Sequence, residues 1–349
     1  MLRIVLTSIS VLLVSFSTIA TGTTPGFIEA NGYHPIKALF GFPVTRLALN
    51  QKTVDSTIAG ETAQPTWRIA LQADHSNIFS GGASSTQTLI LDGESTRINL
   101  AINYNRNECL AAGVSVPFVT HHPGSLDQFI ETWHEIFGLP DGRRDLSPQD
   151  RLRFEFLNGS DRLQLTSSTA RIGDLQLQLA TRVFCYTHNT VSPLSWLADT
   201  AVRFGLKLPT GSLQQFTGSE SLDWFFDVTP PAFKLPYDFQ LMTSLGALLI
   251  GDTDDFDQLR SNVFFATAAF NWQPAWLISR GLSLTVQADL HSPLFDSELR
   301  ELGANGTQLG ISGQWQNSGG HRIVFGFLED SAIDTAPDFV IHLGYQRSW

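Results

Sequence analysis

An alternation of apolar and polar residues with a period of two constrains this chain more than any other feature. From Leu282 to His291, Leu282, Leu284, Val286, Ala288 and Leu290 fall on one face of an extended chain, and Ser283, Thr285, Gln287, Asp289 and His291 fall on the other. Successive side chains of a strand point to opposite faces, so each such segment is half apolar and half polar. The same split recurs over 97–104, 175–180, 202–208 and 308–315. The expected fold is all-β.

Two architectures give this pattern. A soluble sandwich turns the apolar face inward and wets the polar one. A transmembrane barrel turns the apolar face to lipid and lines its lumen with the polar one. Periodicity does not separate them; other features do. The strand-like segments run about 9–12 residues, the length a tilted strand needs to cross a bilayer, whereas soluble strands average about 5–6. Trp67, Tyr104, Trp272, Trp276, Trp315 and Tyr345 sit near segment ends, as in interfacial aromatic girdles. Lysine is scarce, with only Lys37, Lys52, Lys207 and Lys234 in the chain. The strongest sign is the closing stretch, with Phe339, Ile341, Leu343 and Tyr345 on one face and Trp349 as the last residue. It resembles the strand by which barrel assembly machinery recognises bacterial outer-membrane barrels, although Arg347 stands where an apolar residue is usual. The segments add up to an odd number, and single-chain bacterial barrels have even numbers. We therefore expect an antiparallel transmembrane β-barrel of about 14 strands, with 12–16 as the range. With a periplasmic C-terminus, 209–221, 251–260 and 292–306 become outside loops.

The start of the chain assigns the compartment. Arg3, an apolar stretch from Ile4 to Ile19 and the small residues near Ala20 read as a secretory signal peptide over 1–21. The segment 22–60 then becomes a plug or periplasmic arm, and 61–349 the barrel with an insertion at 119–150. Acidic residues outnumber basic ones, 33 to 22, for a net charge of −11. That balance excludes nucleic acid as a partner, since phosphate binding needs clustered Lys and Arg. Cys109 and Cys185 are compatible with a disulfide in an exported protein, and their spacing does not decide whether they pair.

Several local motifs resemble one family. Leu91-Asp-Gly-Glu94, Trp133-His-Glu-Ile-Phe-Gly-Leu-Pro-Asp-Gly-Arg143, Gly173-Asp174 and Leu206-Lys-Leu-Pro-Thr-Gly211 are similar to signatures of the domain of unknown function 3187 family. The resemblance spans most of the chain after the leader. It implies an envelope protein of barrel form, with relatives among outer-membrane transporters, and carries over no catalytic residue.

One helix is expected, from Ser125 to Phe137, with Ser125 as its N-cap and Gly138-Leu-Pro140 as its end. Leu126, Phe129, Ile130, Trp133, Ile136 and Phe137 form its apolar stripe. Asp127, Glu131 and His134 line the opposite side. That stripe, with His121 and His122 upstream, would suit a divalent cation or acid–base work, or be a solvated face of a helix at the barrel mouth. Arg143 and Arg144 would grip a carboxylate or phosphate, or balance the acids of their own loop. On the polar strand faces, Arg97, Arg182, Arg203, Lys207 and Asp289 are the candidate lumenal groups. Bases outnumber acids there, which favours anionic solutes unless the charges pair to stiffen the wall. No Gly-x-Ser-x-Gly elbow or phosphate-cradling glycine loop is present, so no cofactor is expected. The expected role is passive passage of small solutes, anionic or hydrophobic, with outer-membrane lipids and the assembly machinery as partners and segment 22–60 or the insertion occluding the pore. A lipid-modifying enzyme and a structural or adhesive barrel are the alternatives, because fold does not establish function.

Overall fold

The computed structural model describes residues 66–106, 110–138, 147–159, 161–183, 200–251, 259–330 and 339–349. The leader 1–21, the segment 22–60, Cys109, Cys185, Arg143 and Arg144 lie outside the described residues.

The strands in chain order are β1 (Thr66–Ala83), β2 (Gln87–Asn105), β3 (Leu110–His122), β4 (Arg153–Asn158), β5 (Asp161–Leu165), β6 (Thr169–Ile172), β7 (Leu175–Arg182), β8 (Ala201–Leu208) and β9 (Asp223–Thr229). They continue with β10 (Phe233–Lys234), β11 (Phe239–Leu249), β12 (Asn262–Trp272), β13 (Leu282–His291), β14 (Gly306–Gln316), β15 (His321–Asp330) and β16 (Phe339–Ser348). All except β4, β5, β6 and β10 form one closed antiparallel ring of 12 strands. The ring closes where β1 meets β16, in register from Arg68 opposite Ser348 to Asn77 opposite Phe339. At its end the Trp67 N–H donates to the Trp349 carbonyl (3.0 Å) and the Trp349 N–H returns a bond to Trp67 (3.1 Å). Closure leaves the ring no free edge, the condition for strands to cross hydrocarbon.

The ring has a terminal rim, carrying Thr66 and Trp349, and an opposite loop rim. The 209–222 and 292–305 connections, with the facing ends of β11 at Leu249 and β12 at Asn262, lie at the loop rim, as the strand alternation requires.

The two faces of the wall settle the choice left by periodicity. Leu71, Val286, Phe325 and Leu343 are about half exposed on the outside, while Gln72, Asn99, Gln287 and His342 are buried inside. A sandwich would have the reverse. The apolar exterior is continuous on neighbouring strands: Ile69 and Leu71 on β1 stand beside Ile102 and Leu100 on β2. Loopward of this band the outward residues turn polar, as His75, Thr96, Thr120 and His122.

The ring of 12 lies within the expected range of 12–16, two strands below its central value of 14. Residues 86–92 and 95–105 are one strand, because Leu91-Asp-Gly-Glu94 does not turn the chain: Gly93, at φ 153°, lets β2 continue. A Cβ there would stand 2.8 Å from Leu152 Cδ1, so a side chain would be crowded as well as strained. The segments at 151–157 and 162–169 are strands but lie off the ring, as the β4–β5 hairpin paired to the loop-rim extension of β2.

Inside the loop rim sits an apolar core. Ile78, Leu91 and Phe225 from the wall pack with Leu213 and Phe216 from the 209–222 loop, and with Phe295. Phe154, Phe156, Leu163 and Leu165 from the β4–β5 hairpin complete it. Each such side chain contributes roughly 1.5–3 kcal/mol when fully buried, so these loops form a packed plug.

The single helix of more than one turn, among the described residues, is α1 (Asp127–Phe137). It does not occlude the pore. Phe129 and Trp133 meet Phe339 and Phe327 edge-on or tilted, and these are outward residues of β16 and β15, so α1 lies on the outer wall. Its C-terminus is closed by Gly138 in the left-handed conformation at φ 66°. Two one-turn helices, α2 (Ala275–Ile278) and α3 (Arg300–Gly303), lie at the terminal and loop rims.

Candidate functional site

The lumen is lined by alternate residues of twelve strands, so its chemistry follows from the polar half of each period. Arg203 and Lys207 on β8 both point inward, and both are paired. Arg203 Nη1 lies 2.7 Å from Asp227 Oδ1 and donates to Thr229. Lys207 Nζ lies 2.6 Å from Asp174 Oδ2 and 2.9 Å from Asp223 Oδ2, and donates to Ser219 and the Ser221 carbonyl. Asp289 accepts from Thr267 and Gln287, each at 2.6 Å. Arg182 ends β7 at the terminal rim, half-buried.

Arg97 differs from these. It is 1% exposed, and its Nε, Nη1 and Nη2 have no hydrogen-bond partner among the described residues. Its cross-strand neighbour Asp74 has Oδ1 2.6 Å from His342 Nδ1, and its Oδ2, like the guanidinium, has no hydrogen-bond partner among the described residues. Burying a cation without a hydrogen-bonded partner costs several kcal/mol. A cavity of about 300 Å³, including space open to solvent, lies in the lumen beside Gln72, Arg322, His342 and Gln346.

At the loop rim, two of the sequence motifs meet. Asp174 accepts from Lys207, from the Gly211 N–H (2.8 Å) and from the Ser219 N–H (3.0 Å). Thr210 bonds the Gly173 carbonyl and caps the Leu175 N–H. The 209–222 loop is thereby tied over the lumen. His121 anchors the same loop from below: Nε2–H donates to the Phe216 carbonyl (2.8 Å), and Nδ1 accepts from Ser95 (2.6 Å). It lies beyond the apolar band, and burial pushes its pKa down to about 4, so it is neutral at pH 7.

The polar stripe of α1 does not converge on one point. Asp127 accepts from Asn77 (3.0 Å) and from the Asp150 N–H (2.8 Å), Glu131 from Gln149, and His134 faces Glu329 at 3.5 Å. Ser125 is not a side-chain cap. The Ser125 and Leu126 N–H groups both donate to Glu94 Oε1 at 2.7 Å, across the wall from β2. Burial acts to raise the Glu94 pKa, but the bonds from His75 and these two N–H groups outweigh it and hold it at about 2. Glu94, Asp174, Asp223 and Asp227 are the groups that sequence reading missed. Glu94 and Asp174 stood in the quoted motifs, whereas the two others carried no signal beyond their polar phase on β9.

The chain belongs to the family described as Protein of unknown function (DUF3187), whose model matches residues 4–349. No curated protein matches it. Among solved structures it is similar to the COG4313 outer membrane channel from Pseudomonas putida F1, at 13% identity and TM-score 0.52 over 86% of this chain and 100% of that one. The NanC porin matches at 8% identity and TM-score 0.41, over 80% and 98% of the two chains. The CymD monoaromatic hydrocarbon channel matches at 9% and 0.39, over 93% and 99%. The likeness to the first is one of fold. The shared fold is a closed antiparallel β-barrel, and its apolar exterior fits a lipid bilayer.

Proposed function

We propose that this member of the family is a passive outer-membrane channel for small anionic solutes, with Arg97 as the lumenal group that attracts them. The observation that carries this is a buried guanidinium without a partner inside a closed barrel. Arg203 and Lys207 hold the wall and the plug, since their charges are spent on Asp227, Asp174 and Asp223. Arg182 and Asp289 shape the field nearer the ends of the passage. The apolar core of the mouth favours solutes with an apolar part, which pass when the 209–222 loop moves. Arg143 and Arg144 add positive charge to the 119–150 insertion. The terminal rim faces the periplasm, and β16 with Trp349 presents the assembly signal after the leader 1–21 is removed.

The test is single-channel recording of the refolded chain in planar bilayers with a salt gradient. Discrete steps with a reversal potential on the anion side are expected, and Arg97→Gln should move that potential toward zero. Steps of cation preference, or an unchanged potential in the variant, would rule the reading out.

A further inference from the structure

The outer wall carries a second cluster, unrelated to the lumen and independent of the channel reading. His75 on β1, Glu94 on β2 and His122 on β3 share the outward face of three adjacent strands, and Glu94 stands directly across from His122 in the register. We propose that these three side chains form a site for a divalent transition metal of the zinc type.

The donor set and its spacing fit. Zinc takes imidazole and carboxylate donors at about 2.0–2.2 Å, so tetrahedral donor atoms stand roughly 3.3 Å apart. His75 Nε2 lies 3.1 Å and His122 Nδ1 3.8 Å from Glu94 Oε2, and one donor atom from each of the three residues falls within 4.8 Å of the others. The two rings lie side by side, with centroids 5.5 Å apart and planes 14° from parallel, so small turns of each bring the donors onto one ion.

The surroundings orient these donors. Thr96 Oγ1 is 2.8 Å from His75 Nδ1 and 3.4 Å from His122 Nε2, the two nitrogens that face away from the carboxylate. Metal binding moves the proton of each neutral ring onto the nitrogen beside Thr96, and His122 Nδ1 exchanges its bond to the Pro123 carbonyl for the ion. Such an outer hydroxyl sets tautomer and ring angle, as at known histidine–metal sites. Glu94 Oε1 is held by the Ser125 and Leu126 N–H groups, and Oε2, which accepts from the Ser125 hydroxyl (3.2 Å), faces both imidazoles and offers its second lone pair to the metal. Both imidazoles are about one-third exposed, so the ion has an entry path and its fourth position faces outward, loopward of the apolar band.

The test uses the full chain without an affinity tag, refolded in detergent, stripped with a chelator and titrated with Zn²⁺ against a chromophoric competitor. Wild type should take one equivalent. His75→Ala and His122→Ala should each weaken binding about 100-fold or more, and Thr96→Ala, which removes no donor, about 10-fold. Folding of each variant is checked by heat-dependent gel mobility, and His75→Gln replaces His75→Ala if that variant fails to fold. No zinc uptake by wild type overturns the proposal, as does an equivalent retained at unchanged affinity by a folded histidine variant.

Discussion

Lys207 Nζ and Asp174 Oδ2 meet at 2.6 Å inside the loop rim, joining the Leu206–Gly211 motif that begins on β8 to the Gly173-Asp174 motif that leads into its neighbour β7. Both side chains are buried, and Asp223 supplies the second carboxylate. The three hold the 209–222 loop across the lumen, which makes this contact the latch of the plug.

Lys207→Met leaves Asp174 and Asp223 as uncompensated buried charges. Removing one partner of a buried pair costs about 3–5 kcal/mol, so the variant should unfold at lower urea concentration. If the latch closes the passage, the folded fraction should also conduct for a larger share of the time. Equal urea midpoints in wild type and variant would contradict the role given to Lys207.

Gly205→Ala tests the packing under the plug. A Cβ on Gly205 would lie 1.6 Å from Phe225 Cε1, and Phe225 is buried in the apolar core. The ring must shift, at a cost of about 1–3 kcal/mol, read as a lower midpoint of the heat-dependent mobility change.

Val286→Arg tests which face meets lipid. Val286 is outward on β13 and half exposed. Arginine near the bilayer midplane costs about 2–4 kcal/mol, so folding into vesicles should fall markedly. The inward Gln287→Ala should fold close to wild-type yield; the opposite ranking would invert the wall.

Glu94 gives a pH dependence. Its folded-state pKa of about 2 lies below the ordinary 4.5, so its contribution is fully present above pH 4.5 and is lost as the pH falls through about 2. In chelator-containing buffer, amide exchange of 125–138 should therefore stay slow from pH 7 to 5 after correction for the intrinsic rate. Glu94→Gln should speed it about 5-fold, the loss of a cap worth ~1 kcal/mol. An exchange rate independent of Glu94 would remove it as the helix cap.

The legible part of the fold was the part that depends on phase along a strand. Leu284 and Val286 were assigned together to one face and Thr285 and Gln287 to the other, and closure of the ring turned those faces into exterior and lumen. Arg97, Arg203 and Lys207 were placed on the polar face by the same rule. Their states were not legible. Arg203 found Asp227 directly across a strand pair, but β8 and β9 are separated by a 14-residue loop whose length does not announce the register. Helix α1 was visible as a helix, yet its apolar residues Phe129 and Ile136 remain exposed on an outer wall while Asp127 and His134 are buried. A helix packed beside an apolar membrane band does not need to hide its whole apolar stripe.

Local physics alone therefore decided that this chain makes long amphipathic strands with a fixed set of residues on each face, because side-chain direction alternates with every residue, and one helix that ends at Gly138. Tertiary structure decided the ring of twelve, the hairpin left off it, the pairing of Lys207 with Asp174 and Asp223, and the burial of Arg97 without a hydrogen-bond partner among the described residues. Those depend on which strands come to lie side by side and in what register, and on where a loop returns over the lumen. Hydrogen bonds between distant segments set such relations, and the phase of no single strand carries them.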